Sequence, residues 1–237
     1  MTTPTPHNKA NNGEITKTVI MLGDPSRVKI LSEKYLKNAK IVNAVRNNYT
    51  YVGEYNNKKI SIMAHGIGNA SMGIYSYELF NFYGVEQIIR VGTIGTFKQD
   101  INLKDIIICE KSYTNTNFNN FFQKNGSGYT YASKDLIDEV VNFAKEKKFK
   151  AYNGSIMCTD NFYDDPYQKE IADKEDLLGV EMESAALYIN AKNANKKALT
   201  MCMVSDNIAT GEKLSSDERQ MGFDKIFKFV LDFVTKW

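Results

Sequence analysis

Three arginines stand beside glycine-bearing turns in the first half of the chain, Arg27, Arg46 and Arg90, and two acids in apolar surroundings, Glu183 and Asp206, stand in the second. A guanidinium presents planar paired donors that suit bidentate capture of a phosphate-like anion. Carboxylates suit the vicinal hydroxyls of a sugar, or proton transfer to a leaving base. This division predicts an anion pocket facing a sugar-and-base pocket.

Each segment has a functional and a structural reading. Gly23-Asp24-Pro25-Ser26-Arg27 follows an apolar run and precedes a helical one, which is where helix N-termini attract anions. Gly23 lets a backbone N–H approach a phosphate, and Arg27 lies one turn into the helix; the same residues also make a plain turn with a surface arginine. Arg90 sits between Ile89 and Val91. A guanidinium inside such a run needs an anion, either a carboxylate of the protein or a ligand, and a ligand is the expectation. Gly92, Thr93 and Gly95 add amides and a hydroxyl at the predicted strand end, whereas Arg46 lies in a polar stretch and by itself reads as solvated.

In Val180-Glu181-Met182-Glu183-Ser184 two acids flank a methionine. They could hold ribose hydroxyls with the thioether against the sugar, or simply favour a helix N-terminus; spacing does not choose. Asp206 follows Leu199, Met201, Met203, Val204 and Ser205, so its carboxyl is expected to be desolvated and suited to general-acid work, with capping of the next turn as the alternative. Arg219 reads as a surface residue and His65 as a satisfied histidine in a glycine turn. No Ser–His–Asp or Cys–His spacing emerges, and Gly66-x-Gly68 lacks the rest of a dinucleotide fingerprint.

The elements that must position these residues alternate between β-type and helix-type segments. Strands are predicted at Thr18–Leu22, Ile88–Val91, Asp105–Cys109, Gly154–Met157 and Ala198–Val204, with a hairpin from Tyr49 to Met63 around Asn56-Asn57. Helices are predicted after Pro25 and over Ser71–Phe82, Leu136–Phe149, Glu183–Ala194 and Glu218–Trp237, and residues 114–131 read as one long loop. The expected architecture is a single α/β domain over residues 1–237, a central sheet flanked by helices.

With 43% hydrophobic and 24% charged residues among 237, the chain can build a substantial core. A net charge of +2 with scattered lysines gives no basic stripe for nucleic acid. Cys109, Cys158 and Cys202 are an odd set in apolar runs and read as buried free thiols; with only His7 and His65 besides, no metal site is expected. No apolar run nears the ~20 residues of a membrane span, and the polar N-terminal residues resemble no signal peptide, so a cytoplasmic protein is expected.

Taken in order, the segments resemble the nucleoside phosphorylase-I family, specifically its bacterial-type, hexameric, purine-cleaving branch. The carriers are T-P-H at Thr5–His7, G-D-P-S-R at Gly23–Arg27, V-N-A-V-R at Val42–Arg46, H-G-I-G at His65–Gly68, I-I-R-V-G-T at Ile88–Thr93, D-N-F-Y at Asp160–Tyr163, G-V-E-M-E-S-A at Gly179–Ala185 and V-S-D at Val204–Asp206. They span essentially the whole chain. The resemblance implies a mixed, distorted barrel-like sheet and phosphorolysis of purine nucleosides with inorganic phosphate as co-substrate and no cofactor. It implies that Gly23, Arg27, Arg90 and Thr93 hold phosphate, with Arg46 and His7 supplied by a neighbouring subunit of a homohexamer. It also implies that Glu183 binds the ribose hydroxyls above Met182, that Phe162 and Val180 line the base pocket with Glu181 and Ser205 beside them, and that Asp206 protonates the purine with help from Arg219. Ile67, Asn207 and Ala209 depart from the family's usual residues, and residues 114–131 match it poorly. The alternatives are a hydrolytic nucleosidase of the methylthioadenosine/S-adenosylhomocysteine type, a uridine phosphorylase, and a non-catalytic nucleoside-binding protein.

Overall fold

Strand β1 (Thr18–Leu22) is apolar and buried from Val19 to Leu22 because it lies between two parallel neighbours. The computed structural model describes residues 2–114, 116–122, 128–163 and 166–236, side chains at 220 and 221 excepted. After β1 the chain turns at Gly23 into α1 (Pro25–Tyr35), where the Asp24 carboxylate accepts the Ser26 N–H at 2.8 Å and Pro25 takes the first helical position. β2 (Lys37–Asn43) runs antiparallel to β3 (Thr50–Tyr55). β3 returns as β4 (Lys58–Ala64) through Asn56 and Asn57, both at positive φ, the backbone that a two-residue hairpin demands. Helix α2 (Gly68–Phe82) leads to β5 (Gln87–Thr96).

Beyond β5 come β6 (Ile106–Thr114), the short α3 (Asn117–Asn120), β7 (Gly128–Tyr131) and α4 (Lys134–Glu146). Then follow β8 (Tyr152–Cys158), α5 (Gln168–Lys174), β9 (Gly179–Glu181), α6 (Ser184–Ala194), β10 (Lys197–Asn207), α7 (Ser216–Met221) and α8 (Phe223–Val234). The strands form one mixed sheet in the order β10-β6-β8-β9-β5-β1-β4-β3-β2, with β7 on β6. Because β10 also pairs in parallel with β5, the five strands β5, β9, β8, β6 and β10 close into a ring, and β1, β4, β3 and β2 extend from it. This is the barrel-like α/β sheet that the resemblance implied.

One hydrophobic cluster runs from Ala10 to Val234 and takes in the apolar face of α8, with Phe223, Ile226, Phe227, Val230, Leu231 and Val234 buried as their spacing predicts. Among the described residues no helix is long and apolar enough to cross a membrane, and no group of three or more His, Cys, Asp or Glu side chains is placed to hold a metal. Cys109, Cys158 and Cys202 are buried free thiols.

Four expectations need correction. Arg90 lies inside a long strand rather than at its end, because β5 continues through Gly92-Thr93 to Thr96, whereas Asp206 is, as expected, at the end of its strand, next to last in β10. Residues 114–131 are not all loop: α3 and β7 lie within them, and β7 pairs with β6, while residues 115 and 123–127 fall outside the description. The last helix breaks at Gly222, where an added Cβ would meet Glu218 O at 2.9 Å and Met203 Sδ at 3.1 Å. β2, α5 and β9 were not foreseen, being short or largely polar.

His65 is not the satisfied histidine expected. It is fully buried at the end of β4, and neither ring nitrogen has a hydrogen-bond partner among the described residues. Burial first, and then the Arg90 charge, hold its pKa well below the ordinary value. Only the unfolded chain therefore takes up that proton, so the stability tied to His65 is complete above about pH 6.5 and is lost as pH falls below it. Thermal melts between pH 7 and 5 should show wild type losing up to about 1.4 kcal/mol per pH unit more than His65→Gln; parallel slopes would remove this assignment.

Candidate active site

The centre of the site is a buried guanidinium. Arg90 is 3% exposed; its Nη1 lies 2.9 Å from Glu181 Oε2, its Nη2 is bonded to Glu183 Oε2, and its Nε has no hydrogen-bond partner among the described residues. Burial alone would lower the Arg90 pKa, but Glu183 and then Glu181 hold it well above its ordinary value. The group is a permanent cation. The sequence favoured a ligand as its counter-ion; the structure supplies two carboxylates of the protein instead. A Cβ on Gly92 would lie 2.7–2.8 Å from the guanidinium atoms, so glycine there lets the Arg90 side chain lie along β5; Thr93, the next residue, is half-buried.

The two acids differ in what remains to them. Glu181 is 5% exposed and turned wholly inward, accepting the Glu183 N–H at 2.9 Å, the Ser184 N–H at 3.0 Å and the Ser184 hydroxyl besides Arg90. Its carboxylate is thus engaged by contacts within the protein. Glu183 accepts the Gly68 N–H at 2.7 Å through Oε1 and Arg90 through Oε2. Burial raises its pKa above the usual carboxylate range, Arg90 opposes that, and Glu181 adds to it. Met182 between them is half-buried.

The second cation differs again. Arg27 stacks on the Phe223 ring, with Cζ 3.9 Å from the centroid, and its Nε has no hydrogen-bond partner among the described residues. Burial lowers its pKa, Asp24 raises it, and Arg219 lowers it by repulsion. An anion seated beside Arg27 would relieve that repulsion. Gly23 adjoins His65: a Cβ there would meet Gly66 O at 3.1 Å and His65 Cε1 at 3.7 Å. Arg46 is exposed, with φ of 55°.

At the far end of the ring, Asp206 pairs with Gly95 of β5 just past a bulge at Ser205, which re-aims the strand. Asp206 Oδ1 accepts Arg219 Nη2 at 2.6 Å and Oδ2 accepts the Ser205 hydroxyl at 2.7 Å. With both side chains of the pair 29% exposed, Asp206 is not the desolvated acid expected, and Arg219 is no idle surface residue. Ser205, 2% exposed, faces this pair. Val180 and Ile208 flank Gly95 and form an apolar wall opposite; Ile208, 45% exposed, is a lining residue that the sequence reading missed. Phe162 is exposed, edge-on to Tyr163. Asn207 accepts the Ala209 and Thr210 N–H groups at 3.0 Å each, so that departure shapes a turn, and Ile67 is 77% exposed.

The site thus brings together Arg90, Glu181 and Glu183, sets Arg27 near Arg219 and pairs Arg219 with Asp206. Two candidates stay apart. His7 is bound through Nδ1 to Glu78 Oε1 at 2.7 Å, ten residues along α2 from Gly68, roughly 15 Å of helix. Arg46 lies in the turn between β2 and β3.

The profile of the phosphorylase superfamily matches residues 17–234. A purine nucleoside phosphorylase of DeoD type from Psychromonas ingrahamii is 42% identical over 231 residues, covering 97% of this chain and 98% of its own. The protein of the same description from Mycoplasma genitalium is 38% identical over 241 residues, covering 98% and 99%. A crystal structure of uridine phosphorylase from Vibrio fischeri superposes with a TM-score of 0.86 at 24% identity, covering 98% of this chain and 96% of that one. The fold and these near full-length matches agree, and the chain belongs to the phosphorylase superfamily.

Proposed function

We propose that this chain is a purine nucleoside phosphorylase. It is a pentosyltransferase that reversibly converts purine ribo- or 2′-deoxyribonucleosides and phosphate into the free base and (2-deoxy)ribose 1-phosphate, in purine salvage. The observation that carries the reading is the Asp206–Arg219 pair beside an apolar wall, on the strand next to the one that holds Arg90. The names of the relatives over nearly the full length support it.

A purine anion leaves poorly, so a proton delivered to ring nitrogen N7 as the glycosidic bond breaks lowers the barrier, an effect typically worth about 10²–10⁴-fold. Asp206 gives that proton, and Arg219 offsets the carboxylate charge left behind. The sugar becomes cation-like; phosphate held by Gly23, Arg27, Arg90 and Thr93 attacks its anomeric carbon, while Glu183 orients the ribose hydroxyls. Phosphate is a co-substrate, and the reaction needs no cofactor. Residues 1–237 act as one catalytic domain in the cytoplasm, with no nucleic acid or membrane as partner. A homohexamer fits the placement of His7 and Arg46 away from their own site, and Ile74, Tyr77, Phe121 and Phe122 are exposed apolar side chains available for burial between subunits.

The hydrolytic nucleosidase gains support from the two carboxylates on Arg90, and the unpartnered Nε of Arg27 weighs for phosphate. Incubation with inosine, adenosine and uridine, with and without phosphate, separates the two: base release from the purine nucleosides is expected only with phosphate, and equal rates without it sink the reading. Asp206→Ala should lower kcat roughly 10²–10⁴-fold with a far smaller change in nucleoside affinity; unchanged turnover removes its assigned role. Gly92→Ala, which pushes on Arg90, should raise the KM for phosphate by roughly tenfold or more, and a normal phosphate dependence would count against Arg90 as a phosphate ligand.

A further inference from the structure

The first turn of a helix leaves backbone N–H groups that the N-cap side chain ordinarily takes. In α6 the N-cap residue is Glu183, and its side chain makes no capping bond. The donors are served from elsewhere: the Ser184 N–H by Glu181 at 3.0 Å, and the Ala186 N–H by Asn69 Oδ1 at 3.0 Å. Asn69 belongs to a different helix, α2, and is 1% exposed. Its Nδ2 donates to Asp160 Oδ1 at 2.9 Å and to Cys158 Sγ at 3.3 Å. The residue before it, Gly68, gives its N–H to Glu183. One buried amide therefore joins the starts of α2 and α6 to the segment that carries Phe162.

We propose that Asn69 is a positioning residue for Glu183. By capping α6 from a second helix it leaves the Glu183 carboxylate free to face Arg90 and the nucleoside sugar. This rests on reading Glu183 as the ribose ligand. Without the amide, the Ala186 N–H is a buried donor in need of an acceptor, and Glu183, at the N-cap, is the carboxylate placed to answer it. Its oxygens then leave the sugar. Neither the Asp206–Arg219 pair nor Arg27 touches Asn69, and any shift of Arg90, the other partner of Glu183, acts on phosphate and is met by working at saturating phosphate.

The test compares inosine with 2′,3′-dideoxyinosine, which lacks both hydroxyls, at saturating phosphate. Wild type should prefer inosine; no preference removes the ribose role of Glu183, and the inference with it. With that preference present, Asn69→Ala should lower kcat/KM for inosine roughly tenfold, mainly through KM, as loss of an outer-shell partner does, and leave the dideoxy substrate within about twofold. In a Glu183→Gln background the same change should cost less than about twofold, because the two residues act as one unit. Asp160→Ala, at an exposed position that spares the core, should narrow the inosine preference about two- to threefold. Equal losses on both substrates, a tenfold loss that persists with Glu183→Gln, or an unchanged preference in both Asn69→Ala and Asp160→Ala would overturn the proposal.

Discussion

A guanidinium taken out of water must be met by charge, and in this chain that requirement organises the site. Arg90 is bonded to Glu181 and Glu183 at once, so β5, β9 and the start of α6 are drawn to one point. Removing any partner from such a cluster leaves an uncompensated buried charge, whereas the intact cluster adds little net stability. Its value is positional. Two acids share one cation: Glu181 also takes the backbone of the next turn, and Glu183 takes the Gly68 N–H. The cluster is therefore one unit: a displacement of Arg90 also loosens Glu183.

The closed ring sets the rest. Parallel pairing of β5 with β10 puts Asp206 opposite Gly95, five residues beyond Arg90 along the same strand. Ser205 supplies the bulge that turns the aspartate, and its hydroxyl then steadies the carboxylate. Arg219 reaches the pair from a helix opened by a capping box of Ser215 and Glu218. That helix ends at Gly222, and Phe223 immediately beyond carries the Arg27 stack.

Much of this was legible in the sequence. Apolar runs such as Thr18–Leu22 and the helical stripe of α8 report burial directly, and arginine in an apolar strand announces a charge partner. What the sequence left open was which partner. Glu181 and Glu183 are more than ninety residues from Arg90, and only the sheet order brings them there. The long-loop reading of residues 114–131 failed because Asn and Gly neighbours mask a four-residue strand. Desolvation was expected of Asp206 from its apolar strand alone, whereas the chain beyond it folds back and brings Arg219. His65 read as satisfied because no local pattern reveals that both ring nitrogens lack partners. Asn69 carried no signal at all, since its contacts are spread over two distant segments.

The seam between β5 and β10 also bears on synthesis. β5 ends at Thr96 and β10 begins at Lys197, so about a hundred residues emerge from the ribosome before the ring can shut. Throughout that interval the nascent chain displays an open Val- and Ile-rich edge, and until residues 181–183 are made Arg90 has no acids beside it. Termination anywhere in that stretch leaves the edge of β5 unpaired and open to other chains, so completion of the ring rests on residues 197–207.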